Sequence, residues 1–519
     1  AGDGKGKGKG KGKGKVSEEG SKRSAEGEAD ASEPKRQKTS GDSAELVPNL
    51  KEMRERIKVQ KRAFDGSALE KAAPLLKWDY PTQLSMKATY VKTAVRSFTK
   101  HALKRCEKLS RQPPPWCLKE WWTAVKAPQG CCCPLDTPIG APEESLRGWR
   151  NKCEFTIGHN EAGEVDVGFI LKIRPDGALV VGGVQEVPLV PAAMQKLCST
   201  VSAIVASSPF AVFDRRGGAK SGVWRMLLAR QNPAGEMLVM VQTATLEGED
   251  RTRFVDAFLA KLLAVDLGVI SVYLQFNSEV TDAARPNAPI HLLHGKPRLE
   301  MPMQGLRLEI GPLSFFNPNT TTCELLMEAI IKYLCPRKTD VILDIFSGVG
   351  TIGLCAAKFC DQVIGVEIVA EAVEDARRNA ERNGITNAVF HAGKAEDLVP
   401  RLLGDLDESL EVCAVVDPSR AGLHPKLVDI LRGRAQVVRI VYVSCNAESM
   451  AEDVAKLGTS TEEEADDFVP VRAVAVDSFP QTLHVEVVQL LERSSRVADP
   501  RKAVAEGAPS EAVAEGLAS

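Results

Sequence analysis

Cys445 closes the apolar run VVRIVYV and stands between Ser444 and Asn446, which sets a thiol at the tip of a buried strand. A lone buried cysteine usually serves as a small hydrophobe, but a thiolate at a strand end is a competent nucleophile. Three earlier apolar runs lead into acids. VILDI carries Asp344 just ahead of the loop FSGVG, the run QVIGVEI closes around Glu367, and EVCAVV runs into Asp417 of DPSR. Short apolar runs bounded by turn residues read as buried parallel strands, and open α/β sheets bind ligands at the carboxyl ends of such strands. Asp344, Glu367, Asp417 and Cys445 are therefore expected along one sheet edge.

The glycine loop is what these strands must position. VILDIFSGVGTIGL changes from an apolar run to helical spacing at Ile352, Leu354 and Ala357, giving strand, tight turn and helix start. Gly348 and Gly350 let the backbone approach a ligand closely. The loop fits GxGxxG through Gly353, and Glu367 follows Gly348 by nineteen residues, as in a dinucleotide-binding fold. Two features point instead to S-adenosylmethionine. Asp344 would repel a pyrophosphate but attract a cationic amino group. The later strands also end in chemically competent residues.

At 519 residues the chain is long enough for two or three domains, and its net charge of −2 excludes no class of partner. Its thirteen cysteines show no framework spacing and several lie in apolar runs, which suggests reduced thiols. No run reaches the roughly 18 apolar residues of a membrane helix. These features predict a soluble intracellular protein of cytoplasm or nucleus.

Residues 1–65 read as a disordered tail, with alternating Gly and Lys at the start and basic clusters at Lys22-Arg23 and Lys35-Arg36-Gln37-Lys38 that resemble a two-part nuclear import signal. Residues 66–145 read as helical, with Lys87, Lys92, Arg96, Lys100, Lys104, Arg105 and Lys108 forming a basic surface, and Trp116, Trp121 and Trp122 as core. Cys131-Cys132-Cys133 cannot easily aim three sulfurs at one ion, so neither metal nor iron–sulfur cluster is expected. Residues 146–305 alternate strands and hairpins, with turns at 160–163 and 232–235, and read as a β-rich α+β region that handles RNA. Residues 306–493 form the domain built on the glycine loop, and 494–519 a loose tail.

Five motifs occur in order: FFNPN at 315–319, DIFSGVGTIGL from Asp344, DPSRAGL at 417–423, VYVSCN at 441–446 and VDSFPQTLHVE at 476–486. With RNKCEF from Arg150 and the EAVEDARRNA helix, residues 80–493 resemble the S-adenosylmethionine-dependent RNA (uracil-5-)-methyltransferases, most of all the eukaryotic tRNA enzymes. The resemblance implies a Rossmann-like class I methyltransferase domain and methylation of uridine C5 in tRNA. It implies Cys445 as the nucleophile adding to C6 and Glu486 as the acceptor of the C5 proton. It further implies Asn317, Phe346, Thr351, Glu367 and Asp417 as cofactor-binding residues, with Arg420 as a phosphate or base contact. Asn317 stands where the family often has glutamine, and Ser419 replaces the second proline of DPPR. His424 and His484 are read as packing residues near the site. Methylation of rRNA is an alternative, as is a catalytically weak tRNA-binding chaperone. An adenine-N6 enzyme would need an aromatic where Arg420 stands, and a cytosine-5 enzyme a second cysteine where Ser419 stands. A monomer is expected.

Overall fold

The computed structural model describes residues 49–53, 66–214, 216, 221–279, 284, 288–462 and 465–501. The readings of the Gly/Lys tail, the import signal and most of the C-terminal tail lie outside the described residues. No helix among the described residues is long and apolar enough to cross a membrane.

The basic stretch forms a helix over Tyr80–Leu109, started by Asp79, whose side chain accepts from Thr82 N, and by Pro81 in the first turn. It ends at Ser110 in the left-handed region. Its apolar stripe of Tyr90, Val91, Ala94, Val95, Phe98 and Ala102 joins a core that includes Met450, Ala451, Val454 and Leu457. Lys87 departs from the expected basic surface. It is fully buried and ion-paired with Asp477 at 2.6 Å. Trp116 and Trp121 are buried and Trp122 half-buried, as core residues. The three adjacent cysteine thiols point to three separate acceptors, the carbonyls of Lys92 and Val95 and the side chain of Gln489.

The central region builds a sheet from β1 (Lys152–His159), β2 (Val165–Ile173), β3 (Leu179–Gly183), β4 (Trp224–Gln231), β5 (Met237–Thr243), β6 (Val269–Phe276) and β7 (Ile290–Gly295). The strand order is β2-β3-β1-β4-β5-β6-β7. The hairpins β1–β2 and β4–β5 form at the expected turns. Helices Ala192–Ala206 and Gly248–Leu263 cover one face through a core that includes Leu197, Val201, Phe254 and Phe258. On the other face, Met226, Leu228, Leu238 and Met240 share a core with the small hairpin β8 (Leu299–Met303) and β9 (Leu306–Ile310) and with helix Thr320–Leu334. The same core continues into the second large sheet.

That second sheet contains β10 (Val341–Ile345), β11 (Gln362–Glu367), β12 (Ala388–Ala392), β13 (Val412–Val416), β14 (Val437–Ser444), β15 (Phe468–Val476) and β16 (Glu486–Arg493), in the order β12-β11-β10-β13-β14-β16-β15. Strands β10 to β14 pair in parallel. β16 runs antiparallel to both neighbours. Every residue of β10 and β13 is buried, which explains their continuous apolar runs, since a sheet covered on both faces has no polar alternation.

Candidate active site

Strands β11, β10, β13 and β14 are neighbours in that order, so their carboxyl ends share one edge. After β10 the chain turns sharply. The N–H groups of Phe346 and Ser347 both donate to Val366 O, at 2.8 and 3.1 Å. Phe346, Gly348 and Gly350 have φ of 68°, 54° and 83°, a left-handed backbone that is strained for the phenylalanine. A Cβ on Gly348 would meet no atom within 4 Å, so open space lies beside the loop. Thr351 opens the short helix Thr351–Ala356 just beyond.

Asp344 is buried inside β10. One oxygen accepts from Gly353 N at 2.8 Å and the other has no hydrogen-bond partner. Burial pushes its carboxyl up to about 7, opposed by the Gly353 N–H and reinforced by Asp417 and Glu367. Glu367 is half-buried and holds both ends of its surroundings. Its Oε2 accepts from Gly348 N at 3.1 Å and its Oε1 from Val369 N at 2.9 Å. Ile368 and Val369 follow with 60% and 48% of their surface exposed, so an apolar shelf adjoins the acid. The run QVIGVEI was legible through Ile368, but the exposure of Ile368 and Val369 was not.

Asn317 lies on the loop between β9 and helix Thr320–Leu334. Its Oδ1 accepts from Asn319 N at 3.0 Å, and its carbonyl accepts from Asn151 Nδ2 at 2.8 Å. The start of this loop is gripped from two sides. Arg230, buried in β4, donates to Pro312 O at 3.0 Å and to Ser314 O. Ser314 Oγ donates to Asp375 Oδ2 at 2.8 Å, and Arg298 Nε donates to Asp375 Oδ1 at 3.0 Å. Phe315 projects from the gripped loop with 74% of its surface exposed. Arg230 and Asp375 were not singled out from the sequence, because their partners are distant in the chain.

The last two motifs meet through register. Ser444 of β14 pairs with Val487 of β16, and one step further along that ladder sets Cys445 beside Glu486. Arg420, from the loop after β13, is close enough for its positive charge to act on the Cys445 thiol. Asn446 fastens this corner, its Nδ2 donating to Arg420 O at 2.8 Å and its N to Ser444 Oγ at 2.9 Å. Burial pushes Asp417 up to about 7. It pushes Glu486 up to about 8, helped by Asp417 and opposed by Arg420. Burial and the two acids raise the Cys445 thiol, and Arg420 draws it back down. His424 caps helix Pro425–Gly433, accepting from Lys426 N at 3.3 Å, and His484 stands edge-on to Phe479 at 5.8 Å.

A seven-stranded sheet with one reversed strand next to its edge, a glycine loop after β10 and an acid ending β11 defines a class I methyltransferase fold. The reversed strand sets it apart from the dinucleotide fold, whose two halves are built of parallel βαβ units. A family model described as tRNA (Uracil-5-)-methyltransferase matches residues 298–494. The mouse tRNA (uracil-5-)-methyltransferase homolog B is 32% identical over 456 residues, 84% of this chain and 88% of the relative. The mouse homolog A is 32% identical over 387 residues, 73% of this chain, and the match spans only 62% of that relative's length. The crystal structure of Pyrococcus abyssi tRNA (uracil-54, C5)-methyltransferase in complex with S-adenosyl-L-homocysteine superposes with a TM-score of 0.57 at 24% identity, over 81% of this chain and 84% of that one. The chain belongs to the tRNA (uracil-5-)-methyltransferase family.

Proposed function

We propose that this protein methylates C5 of a uridine in tRNA, the T-loop uridine being the expected target, and uses S-adenosylmethionine as the donor. The observation that carries this reading is the β14–β16 register, which ends at Ser444–Val487 and so puts Cys445 and Glu486 at the next position, on the sheet edge that also holds the glycine loop.

The residues at the ends of β10 and β11 fit this cofactor. Glu367 keeps lone pairs for two ribose hydroxyls while bonding Gly348 N, and the Ile368–Val369 shelf suits an adenine face. The unpartnered oxygen of Asp344 and the open space at Gly348 fit a group carrying positive charge close to the backbone. Asn317, Phe346, Thr351 and Asp417 complete the set. When bound, S-adenosylmethionine supplies the electrophilic methyl group that C5 accepts.

The chain's own groups then do two things. The Cys445 thiolate adds to uracil C6, forming an S–C6 bond and moving the ring's π electrons onto O4, which makes C5 nucleophilic. Once C5 carries the methyl group, the Glu486 carboxylate takes the C5 proton, the C5=C6 bond reforms and the thiolate leaves. Arg420 stabilises the thiolate at both stages. The uridine must leave its stack to reach a strand-tip cysteine.

A tRNA transcript carrying 5-fluorouridine tests this, because fluorine cannot leave as a cation. The unmutated protein should form an adduct that survives denaturing electrophoresis, and Cys445→Ala should form none. Glu486→Gln should accumulate the adduct on ordinary uridine. Normal turnover by Glu486→Gln, or adducts that persist without Cys445, would overturn the assignment.

A further inference from the structure

Helix Tyr80–Leu109 lies well before residues 298–494, the span matched by the family model, yet it touches the scaffolds of both Cys445 and Glu486. Its apolar stripe packs with Met450, Ala451 and Val454 of helix Ala447–Leu457, which starts two residues after Cys445. Its polar first turns engage the loop that runs from β15 to Glu486. Lys87 Nζ sits 2.6 Å from Asp477 Oδ1, with both side chains fully excluded from solvent, and 2.8 Å from Phe479 O. Tyr80 OH donates to Asp477 Oδ2 at 3.1 Å and accepts from Ala141 N at 2.6 Å. Gln83 Oε1 accepts from Gln481 N at 2.9 Å, and Leu75 N donates to Gln481 O at 3.0 Å. Gln481 itself is held at φ 65°.

A buried ion pair is weak evidence for stability, since well-packed apolar residues often do as well. What it supplies is a fixed geometry. Here the fixed element is the loop 477–485, which delivers Glu486 to its place opposite Cys445. We propose that Lys87, through Asp477, is a positioning residue for Glu486, so that the helix before the central sheet completes the base side of the site. This rests on the reading of Glu486 as the proton acceptor. Helix Ala447–Leu457 keeps its apolar packing whether or not Lys87 is present, so addition of Cys445 to C6 should survive loss of the pair and elimination should not.

The test uses the full chain and tRNA, with adduct formation and product release followed in single turnovers. Lys87→Met should slow elimination at least tenfold and leave addition within about threefold, so that the adduct builds up as it does in Glu486→Gln. Lys87→Arg, which keeps the charge, should restore most of the elimination rate. Tyr80→Phe removes one contact to Asp477, together with the acceptor for Ala141 N, and should show a smaller build-up, and it decides the matter if Lys87→Met does not fold. A folded variant with normal elimination, or one that loses addition and elimination equally, would overturn the positioning role. If the unmutated protein gives no adduct with 5-fluorouridine RNA, it is the Glu486 and Cys445 assignment that fails.

Discussion

Replacing Glu367 by glutamine isolates a carboxylate that has two duties. In the free protein its oxygens accept from Gly348 N at 3.1 Å and Val369 N at 2.9 Å. A hydrogen bond to a charged group contributes about 1.5–3 kcal/mol, and the amide keeps one acceptor oxygen while turning an NH2 toward the other N–H. The side chain at 367 should therefore keep only one of its two backbone hydrogen bonds, to Gly348 N or to Val369 N, before any ligand arrives. On the proposed cofactor assignment, the ribose hydroxyls would then meet one acceptor in place of two. A loss of about 1–3 kcal/mol corresponds to roughly 5- to 150-fold weaker binding. Calorimetric titration with S-adenosylhomocysteine should show that increase in Kd, while tRNA affinity measured by filter binding stays unchanged. A Kd within twofold of the unmutated protein would refute the reasoning and move the ribose contact elsewhere.

The proposed reaction needs Glu486 as carboxylate and Cys445 as thiolate, and both are raised, Glu486 to about 8. Activity should thus climb from about pH 6.5 to about pH 8.5, and a flat profile would show that neither ionisation limits it. Stability should run the other way. Folded Asp344, Asp417 and Glu486, at about 7, 7 and 8, keep protons that the unfolded chain releases near pH 4. The folded state binds more protons across that window, so unfolding free energy falls as pH rises through it. The protein should melt at a higher temperature near pH 5.5 than near pH 8, and Asp417→Asn should narrow the gap; a higher Tm at the alkaline end would contradict this. Phe315→Ala should leave Tm within the change expected for about 0.5 kcal/mol, given its 74% exposure. If its ring receives a base, tRNA affinity should fall by the equivalent of about 1–3 kcal/mol, and unchanged affinity would rule that out.

The strand-end groups were legible in sequence because parallel strands buried on both faces leave unbroken apolar runs, and the first polar residue after each run marks the edge. The hairpins were legible because their turns carry Asn and Gly at fixed places. Lys87 was misread for a physical reason. Its spacing fits the basic residues around it, and only Asp477, 390 residues away, turns it inward. Asp344 was read as facing a ligand, and the fold gives one of its oxygens to Gly353 N within the protein. Arg230 and Asp375 fix the loop ahead of Asn317 by contacts of 84 and 61 residues' separation, which no local pattern reports.

The bond between Lys87 and Asp477 also has a consequence for how the protein is made. Synthesis at about 5–20 residues per second would separate the emergence of these two residues by on the order of 20–80 s. Through that interval helix Tyr80–Leu109 has neither Asp477 nor helix Ala447–Leu457 to lie against, so its apolar stripe and a lone ammonium wait without their native cover. Trp116, Trp121 and Cys131–Cys133 can cover part of that stripe early, but the rest waits for the C-terminal strands, so a chain cut short before β15 should aggregate more readily than the full chain.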